Sequence, residues 1–154
     1  MGREDQFIPH LIVSDGLAAL EFYQEVFGAE AGHNMMAPDG KRLMHGELTL
    51  DGHTFFVSDE FTREEGGQCN TPQTLGGTSV RITLMTDDAD AVVERAVARG
   101  AQVAMPVQDM FWGARYGQIV DPFGHNWGIN QLLKAQSAEE TEQAAAEFFA
   151  KQQQ

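Results

Sequence analysis

The chain has 154 residues, 42% of them hydrophobic, which suits one compact domain with a hydrophobic core. Because 23 Asp and Glu residues against 10 Lys and Arg give a formal net charge of -13, its surface repels phosphate backbones, which argues against nucleic-acid binding. No apolar run approaches the roughly 18 to 20 residues that span a bilayer. We therefore expect a cytoplasmic protein with no membrane partner. The single cysteine, Cys69, excludes an internal disulfide.

The first half of the chain has the pattern of a strand, a helix and three further strands. A strand-like run over residues 7–13 leads into an Asp15 helix cap, an apolar stripe at helical spacing and a Gly28 stop. Strand-like runs follow at about residues 30–37, 41–50 and 53–58, separated by the turns Pro-Asp-Gly and Asp-Gly. The predicted order is βαβββ.

The second half repeats this order after a polar link. Residues 59–77 contain two Gly-Gly pairs and a proline, and a loop this long usually covers a site or moves. We then predict a strand at 78–85, a helix from the Asp87 cap to Gly100, a strand at 102–106, an irregular segment at 107–116, and strands at 117–121 and 125–132. A capping box at Ser137 and Glu140 predicts a final helix to about Phe149.

The two predicted helices share one design. Asp15 and Asp87 are 72 positions apart, as are Gly28 and Gly100, so we expect helices of equal length with equivalent caps. Neither half is large enough to bury a good core alone. We therefore predict a single domain over residues 1–154: module 1 at about 7–58, a linker at 59–77, module 2 at about 78–132 and a helical tail at 133–154.

The repeated unit, the segment FYQEVFGAE and the block MFWGARYGQIVDPFGHNWGI resemble the vicinal oxygen chelate superfamily, which includes glyoxalases, bleomycin-resistance proteins and dioxygenases. The segments DGKRLMHGEL and FWGARYGQIVDPFGHNWG are most similar to its PhnB-like branch. The resemblance implies an α+β fold in which two βαβββ modules form an eight-stranded cupped sheet. It also implies a small-molecule ligand in the cup and a homodimer.

Metal-using members of that superfamily place His, Gln or Glu on the first and last strand of each module. Counted back from the helix caps, the first-strand positions fall here on Ile8 and Arg81. The last-strand position after the Asp-Pro-Phe-Gly turn falls on Gly128, and the last strand of module 1 offers Phe55, Phe56 and Val57. None of these side chains ligates a metal. We therefore expect no cofactor and no metal at the family's usual site.

Strand alternation places other polar residues in the expected cup. If Leu11 and Val13 face the helix, then Ile8 and His10 face the cup. On the third strand Met44 and Leu48 would pack under the helix, and His45 and Glu47 would face the cup. On the first strand of module 2, Val80 would face the helix and Arg81 the cup. The trio His10, His45 and Glu47 suits a displaced Zn, Ni, Mn or Fe site, a general base with its orienting partner, or a hydrogen-bonded patch that shapes a pocket.

A second cluster lies at residues 111–116. Phe111, Trp112, Arg115 and Tyr116 form a segment suited to holding a flat ligand by stacking and hydrogen bonds, or a structural rim in which Arg115 pairs with an acid such as Asp121. Asn130 is a further candidate hydrogen-bond partner in the cup.

These features predict a protein that binds an organic small molecule without the family's metal, and sequestration of a drug or antibiotic is one function of this kind. The acidic surface and the aromatic segment favour a planar or cationic guest. The alternative is a lyase, isomerase or dioxygenase that uses His10, His45 and Glu47, with or without a divalent metal. A third hypothesis is a noncatalytic partner protein that associates through its C-terminal helix.

Overall fold

The computed structural model describes residues 5–154 and divides into two compact units. Unit 1 comprises the described residues up to Ser79 together with Pro122–His125, and unit 2 comprises Val80–Asp121 with Asn126–Gln154. Each unit contains a four-stranded mixed sheet with a helix on one face. The α+β class and the two βαβββ modules are therefore confirmed.

Unit 1 is built around the first sheet, whose strand order is β1-β4-β3-β2. Strand β1 runs parallel to β4, and the other neighbours are antiparallel. Its elements are β1 His10–Val13, α1 Gly16–Phe27, β2 Glu30–Met36, β3 Leu43–Leu50, β4 His53–Asp59, a short 3-10 helix Arg63–Glu65 and α2 Pro72–Leu75.

Helix α1 forms where the sequence predicts it. The Asp15 side chain accepts a hydrogen bond from the Ala18 amide, and Gly28 ends the helix in the left-handed conformation that glycine adopts without strain. Its apolar stripe is buried against the first sheet, with Tyr23 and Val26 at 0% exposure. This face fixes which side of the sheet belongs to the core.

The predicted linker is more ordered than its composition indicates. Thr62 caps the 3-10 helix in a capping box with Glu65, and Thr71 caps α2. Glu65 also pairs with Arg42, whose Nη2 lies 2.7 Å from the carboxylate, and this contact lowers the pKa of Glu65 to about 2. Side-chain caps of this kind stabilise helices too short to be recognised by periodicity.

Unit 2 is built around the second sheet, whose strand order is β5-β8-β7-β6, with β5 parallel to β8. A C-terminal helix extends the unit beyond the sheet. Its elements are β5 Arg81–Met85, α3 Ala89–Ala98, β6 Gln102–Met110, β7 Ala114–Val120, β8 Asn126–Leu132 and α4 Ala138–Gln152.

Two sequence predictions for unit 2 are wrong in detail. Asp88 caps α3 instead of Asp87, since its carboxylate accepts from the Ala91 amide, and α3 has 10 residues where α1 has 12. Either of the two adjacent aspartates could cap the helix as judged from the sequence. The helix starts after Asp88 because this start directs Val92 and Ala96 into the core. The segment 107–116 is not irregular, because β6 continues to Met110 and turns back into β7.

Helix α4 begins at the predicted capping box of Ser137 and Glu140 and continues to Gln152. Its phenyl rings contact unit 2, since the Phe148 ring centroid lies 5.1 Å from that of Phe111. No helix within the described residues is long and apolar enough to cross a membrane.

Candidate functional site

Each sheet has one face covered by its helix and one face that carries polar side chains. In the first sheet Leu11, Val57 and Leu48 lie on the helix side and are at most 5% exposed. The opposite side, called here the first open face, carries the alternate residues. By strand register its members are His10, Ile12, His45, Glu47, Phe56 and Ser58.

Two hydrogen-bonded pairs occupy the first open face. His10 Nε2 lies 3.0 Å from Ser58 Oγ, and His45 Nε2 lies 3.2 Å from Glu47 Oε1. The two imidazole centroids are 6.3 Å apart, edge to face, and the Phe56 ring contacts both. The predicted trio is therefore brought together, with each histidine engaged by a separate partner.

His10 is held in its neutral form more strongly than a solvated histidine. Partial burial, and then the neighbouring His45 imidazole, lower the pKa of His10 below its ordinary value. Both effects disfavour a positive charge on His10. A neutral imidazole beside a serine hydroxyl can accept or donate a proton, depending on its tautomer.

The prediction for Met44 is wrong because of a β-bulge. Met35 pairs with His45 but Met36 pairs with Leu43, so Met44 is skipped in the ladder. Met44 is 40% exposed, and Leu43 fills the core position under the helix at 0% exposure. His45 and Glu47 lie beyond the bulge and keep the orientation that alternation predicts.

The second open face lies on the side of the second sheet opposite α3. Ile82, Trp127 and Ile119 share a register row on the helix side, and Trp127 and Ile119 are nearly fully buried. Alternation places the polar residues on the other side. The members of the second open face that matter here are Arg81, Thr83, Met85, Tyr116, Gln118, Gly128 and Asn130.

Tyr116 and Gly128 fit one another closely. A Cβ atom placed on Gly128 would lie 2.7 Å from the Tyr116 hydroxyl oxygen and 3.2 Å from Thr83 Oγ1. The Tyr116 hydroxyl accepts a hydrogen bond from Gln118 Nε2 at 3.3 Å. The absence of a side chain at Gly128 therefore lets the phenol lie across strand β8 beside Thr83.

The aromatic cluster predicted at residues 111–116 divides into a chain of contacting rings and a separate arginine. Phe111 lies edge to face with Trp112, with their centroids 5.0 Å apart. Phe111 packs against the phenyl rings of α4. Trp112 lies edge to face with Tyr116, with their centroids 5.9 Å apart. Arg115 lies on the helix side of the sheet, where it pairs with Asp90 of α3 and with Asp109 at 2.9 Å.

The remaining predicted positions are placed as follows. Ile8 precedes β1 and is 37% exposed. The pairing with β4 begins at the next residue, since the Pro9 carbonyl accepts a hydrogen bond from the Phe56 amide. Val80, predicted to face the helix, precedes β5 and is 64% exposed, so that prediction is wrong. Asn130 lies on the second open face with its amide 3.4 Å from the Met85 sulfur.

Sequence reasoning missed Ser58 and Gln118 as site residues, whereas strand alternation placed Thr83 on the same face as Arg81. Ser58 is only 5% exposed and is placed against His10 by the parallel pairing of β1 with β4. Alternation along β4 from Phe56 and along β7 from Tyr116 could have identified the faces of Ser58 and Gln118, but not their partner strands. A separate groove of about 530 Å³ in unit 1 is lined by none of the predicted site residues; its lining includes Asn70, Pro72, Leu75 and His125.

The residues at the family's metal positions do not fit a metal ion. No side chain at these positions is a ligand for a divalent cation; the residues are Ile8, Phe56, Arg81 and Gly128. At the displaced trio, the Nε2 atoms of His10 and His45 are directed at different partners. Over residues 5–154 no group of three or more His, Cys, Asp and Glu side chains is arranged to hold a metal.

Comparison with protein families agrees with this geometry. A family model described as the Glyoxalase/Bleomycin resistance protein/Dioxygenase superfamily matches residues 6–129. An uncharacterized Mycobacterium tuberculosis protein is 39% identical over 141 residues, which cover 92% of this chain and 82% of that protein. An uncharacterized Arabidopsis thaliana protein is 31% identical over 116 residues, covering 71% of this chain and 67% of that protein.

Solved structures share the fold. TioX from Micromonospora sp. ML1 is 25% identical with a TM-score of 0.63, covering 84% of this chain and 100% of that one. The fosfomycin resistance protein FosX from Listeria monocytogenes has a TM-score of 0.63 at 17% identity, covering 91% and 99%, and at this identity it shows the fold alone. The narrower PhnB-like resemblance stays a prediction.

Proposed function

The chain belongs to the glyoxalase/bleomycin resistance protein/dioxygenase superfamily, and from this premise we propose that it binds an organic small molecule at its open sheet faces without the family's metal. The observation that carries the proposal is the Tyr116 hydroxyl at the place of a Gly128 side chain. A metal-ligating carboxylate at residue 128 would collide with this phenol. Hydrogen bonding and stacking therefore replace coordination as the means of recognition.

The aromatic pair Trp112 and Tyr116 supports a planar ligand. Both rings are partly exposed, and Tyr116 reaches over the second open face. Aromatic side chains contribute large contact areas with few rotatable bonds, which makes them efficient binders of flat molecules. As part of the same proposal, binding without conversion would serve to sequester a drug or antibiotic, in the manner of a bleomycin-resistance protein.

The test is a binding screen by isothermal titration calorimetry with a matched series of planar probes: 2-naphthoate, 2-naphthylphosphonate, 2-naphthamide and 2-naphthamidine. We expect measurable binding of at least one probe by the wild-type protein. Replacing Trp112 with Ala should weaken it at least threefold through lost stacking. Replacing Phe61 with Ala is the matched control, since that ring lies against the Arg42 guanidinium in unit 1. Absence of binding across the series contradicts the proposal.

A second function is favoured by one specific observation, the His45 and Glu47 pair. A carboxylate 3.2 Å from an imidazole nitrogen fixes its tautomer and leaves the other nitrogen as a general base. This arrangement supports a lyase or isomerase that removes a proton beside a carbonyl group. Hydroxyacetone in D₂O provides the assay, because proton NMR detects exchange at the carbon next to the carbonyl. The enzyme hypothesis predicts exchange that is lost in His45→Ala, and exchange at the buffer rate contradicts it.

We also propose that the protein acts in the cytoplasm as a homodimer. Exposed methionines on the paired strands β2 and β3 support an assembly: Met35 is 46%, Met36 36% and Met44 40% exposed. Large exposed apolar side chains are typical of interaction surfaces when they occur together. Light scattering on the purified protein should give twice the mass of one chain, and a monomer at micromolar concentration contradicts this part of the proposal.

A further inference from the structure

We propose that the second open face binds an oxyanion, the carboxylate or phosphonate group of a planar ligand, through Arg81, Thr83 and Tyr116. The inference rests on the proposed small-molecule function and names the chemical class of its ligand. It also differs from the cationic guest that the net charge of the chain favours.

The first observation is an arginine without a carboxylate partner. Arg81 makes no ion pair with any residue in the described part of the chain, whereas Arg42 pairs with Asp39 and Glu65, and Arg115 pairs with Asp90 and Asp109. In a chain with 23 acidic and 10 basic residues, carboxylates are abundant. A guanidinium left unpaired among them is available for a ligand anion, which its planar group binds through two parallel hydrogen bonds.

The second observation is that the surrounding face carries hydrogen-bond donors and no acid. Along β5, β7 and β8 the positions on this face are Arg81, Thr83, Met85, Ala114, Tyr116, Gln118, Val120, Asn126, Gly128, Asn130 and Leu132. None of these eleven described positions holds Asp or Glu. On the neighbouring strand β6, Asp109 lies on the opposite, helix side of the sheet, where it pairs with Arg115.

The third observation concerns the direction of the hydroxyl groups. The Tyr116 oxygen already accepts from Gln118 Nε2, so its own proton is free to be donated. Tyr116 and Thr83 both place their oxygens within 3.2 Å of the point where a Gly128 Cβ would lie. Arg81 is two residues before Thr83 on the same strand, about 6.6 Å away along it, a distance that its long side chain covers. Two neutral donors therefore border one small volume, and Arg81 lies on the same face within side-chain reach of it.

Tyr116 also links the anion site to the stacking surface. Its ring contacts Trp112 while its hydroxyl lies over Gly128. A ligand with a flat body and a terminal anionic group can therefore place the body near Trp112 and the anion near Thr83 and Arg81. This arrangement explains why Gly128 has no side chain, since a Cβ there would push the hydroxyl away.

The test compares 2-naphthoate and 2-naphthylphosphonate with neutral 2-naphthamide and cationic 2-naphthamidine by calorimetry on the full-length protein. We expect the two anions to bind about tenfold or more tightly than the amide. Inorganic phosphate should bind more weakly than the naphthyl anions, because it lacks the planar body. Amidine binding that equals or exceeds naphthoate binding overturns this inference and leaves the proposed function standing, whereas no binding in the whole series overturns both.

Substitutions assign the effect to the named residues. Arg81→Gln should reduce naphthoate affinity about tenfold or more and leave the amide unchanged, and Arg81→Lys should retain part of it as a point charge. Arg63→Gln, in the 3-10 helix of unit 1, removes the same charge from the chain and should change neither affinity. Tyr116→Phe and Gly128→Ala should each weaken naphthoate severalfold with unchanged far-UV circular dichroism. If Arg81→Gln weakens the amide as much as the naphthoate, the arginine has only a structural role and the inference is wrong.

Discussion

Replacing Asp59 with Asn should destabilise unit 1 strongly although it removes only one charge. The Asp59 carboxylate is 7% exposed and accepts from the Gly16 amide at 3.0 Å through Oδ1 and from the Leu43 amide at 2.6 Å through Oδ2. It therefore joins the end of β4 to the start of α1 and the start of β3. Gly16 permits this approach, because a Cβ there would lie 2.7 Å from Asp59 Oδ2.

An Asn side chain offers one acceptor oxygen to these two buried amides and directs an NH₂ group at the other. An unsatisfied buried donor costs about 1 to 3 kcal/mol, and the facing donors add repulsion, so we expect a loss of about 2 to 4 kcal/mol. For a chain of this size that corresponds to roughly 5 to 15 °C in Tm. The assay is urea and thermal unfolding followed by far-UV circular dichroism.

Asp51→Asn is the matched control. Asp51 is an exposed turn residue with φ of 48°, a conformation that Asn also adopts, so its replacement should change stability by less than about 0.5 kcal/mol. Equal effects of the two substitutions would refute the reasoning, because they would show that the two buried amides do not depend on the Asp59 carboxylate.

Three further predictions follow from particular contacts. Because the pKa of His10 is lowered in the folded protein, the unfolded chain binds this proton more readily, and the stability of the fold should decrease as the pH falls below the unfolded pKa of about 6.5. The urea midpoint should change less between pH 8 and 5 in His10→Gln than in the wild type. An identical change in both proteins would contradict this prediction. Phe148→Ala should remove one of the rings that attach α4 to Phe111 and lower the free energy of unfolding by about 1 kcal/mol. Limited proteolysis should then cleave the chain after Leu133 more readily. An unaltered cleavage pattern would show that this ring does not hold the helix. Arg115→Gln should reduce stability far less than Asp59→Asn, since its pairs with Asp90 and Asp109 are exposed to solvent. It should leave probe binding unchanged because Arg115 lies on the helix side, and a loss of naphthoate affinity would place the anion site elsewhere.

The fold was predictable because the helix caps and turns that delimit its elements depend on local sequence. Asp15 and Gly28 delimit α1 through hydrogen bonds and backbone conformation that depend on neighbouring residues, and the Asp51-Gly52 turn joins two strands in the same way. The choice between Asp87 and Asp88 was not predictable from caps alone. It depends on which phase of α3 buries Val92 and Ala96, and that is a property of the packed sheet.

The candidate site was predictable in its faces but not in its pairings. Alternation correctly placed His45 and Glu47 on the side opposite α1, whereas the bulge at Met44 interrupts the same rule one residue before His45. The partnership of His10 with Ser58 arises from the pairing of strands that are 48 positions apart in sequence. Likewise, the sequence does not show that Gly128 leaves room for the Tyr116 hydroxyl, because this contact depends on the side-chain position of a residue on the adjacent strand.

The most direct measurement of the central claim is calorimetry of 2-naphthoate binding before and after exhaustive dialysis against EDTA, with elemental analysis of both samples. Recognition by hydrogen bonds, charge and stacking predicts the same Kd in both samples and no stoichiometric zinc, nickel, manganese or iron in either. Binding that disappears after dialysis and returns when one of these metals is added would contradict the claim, as it would show that a metal ion, and not Tyr116 and its neighbours, holds the ligand.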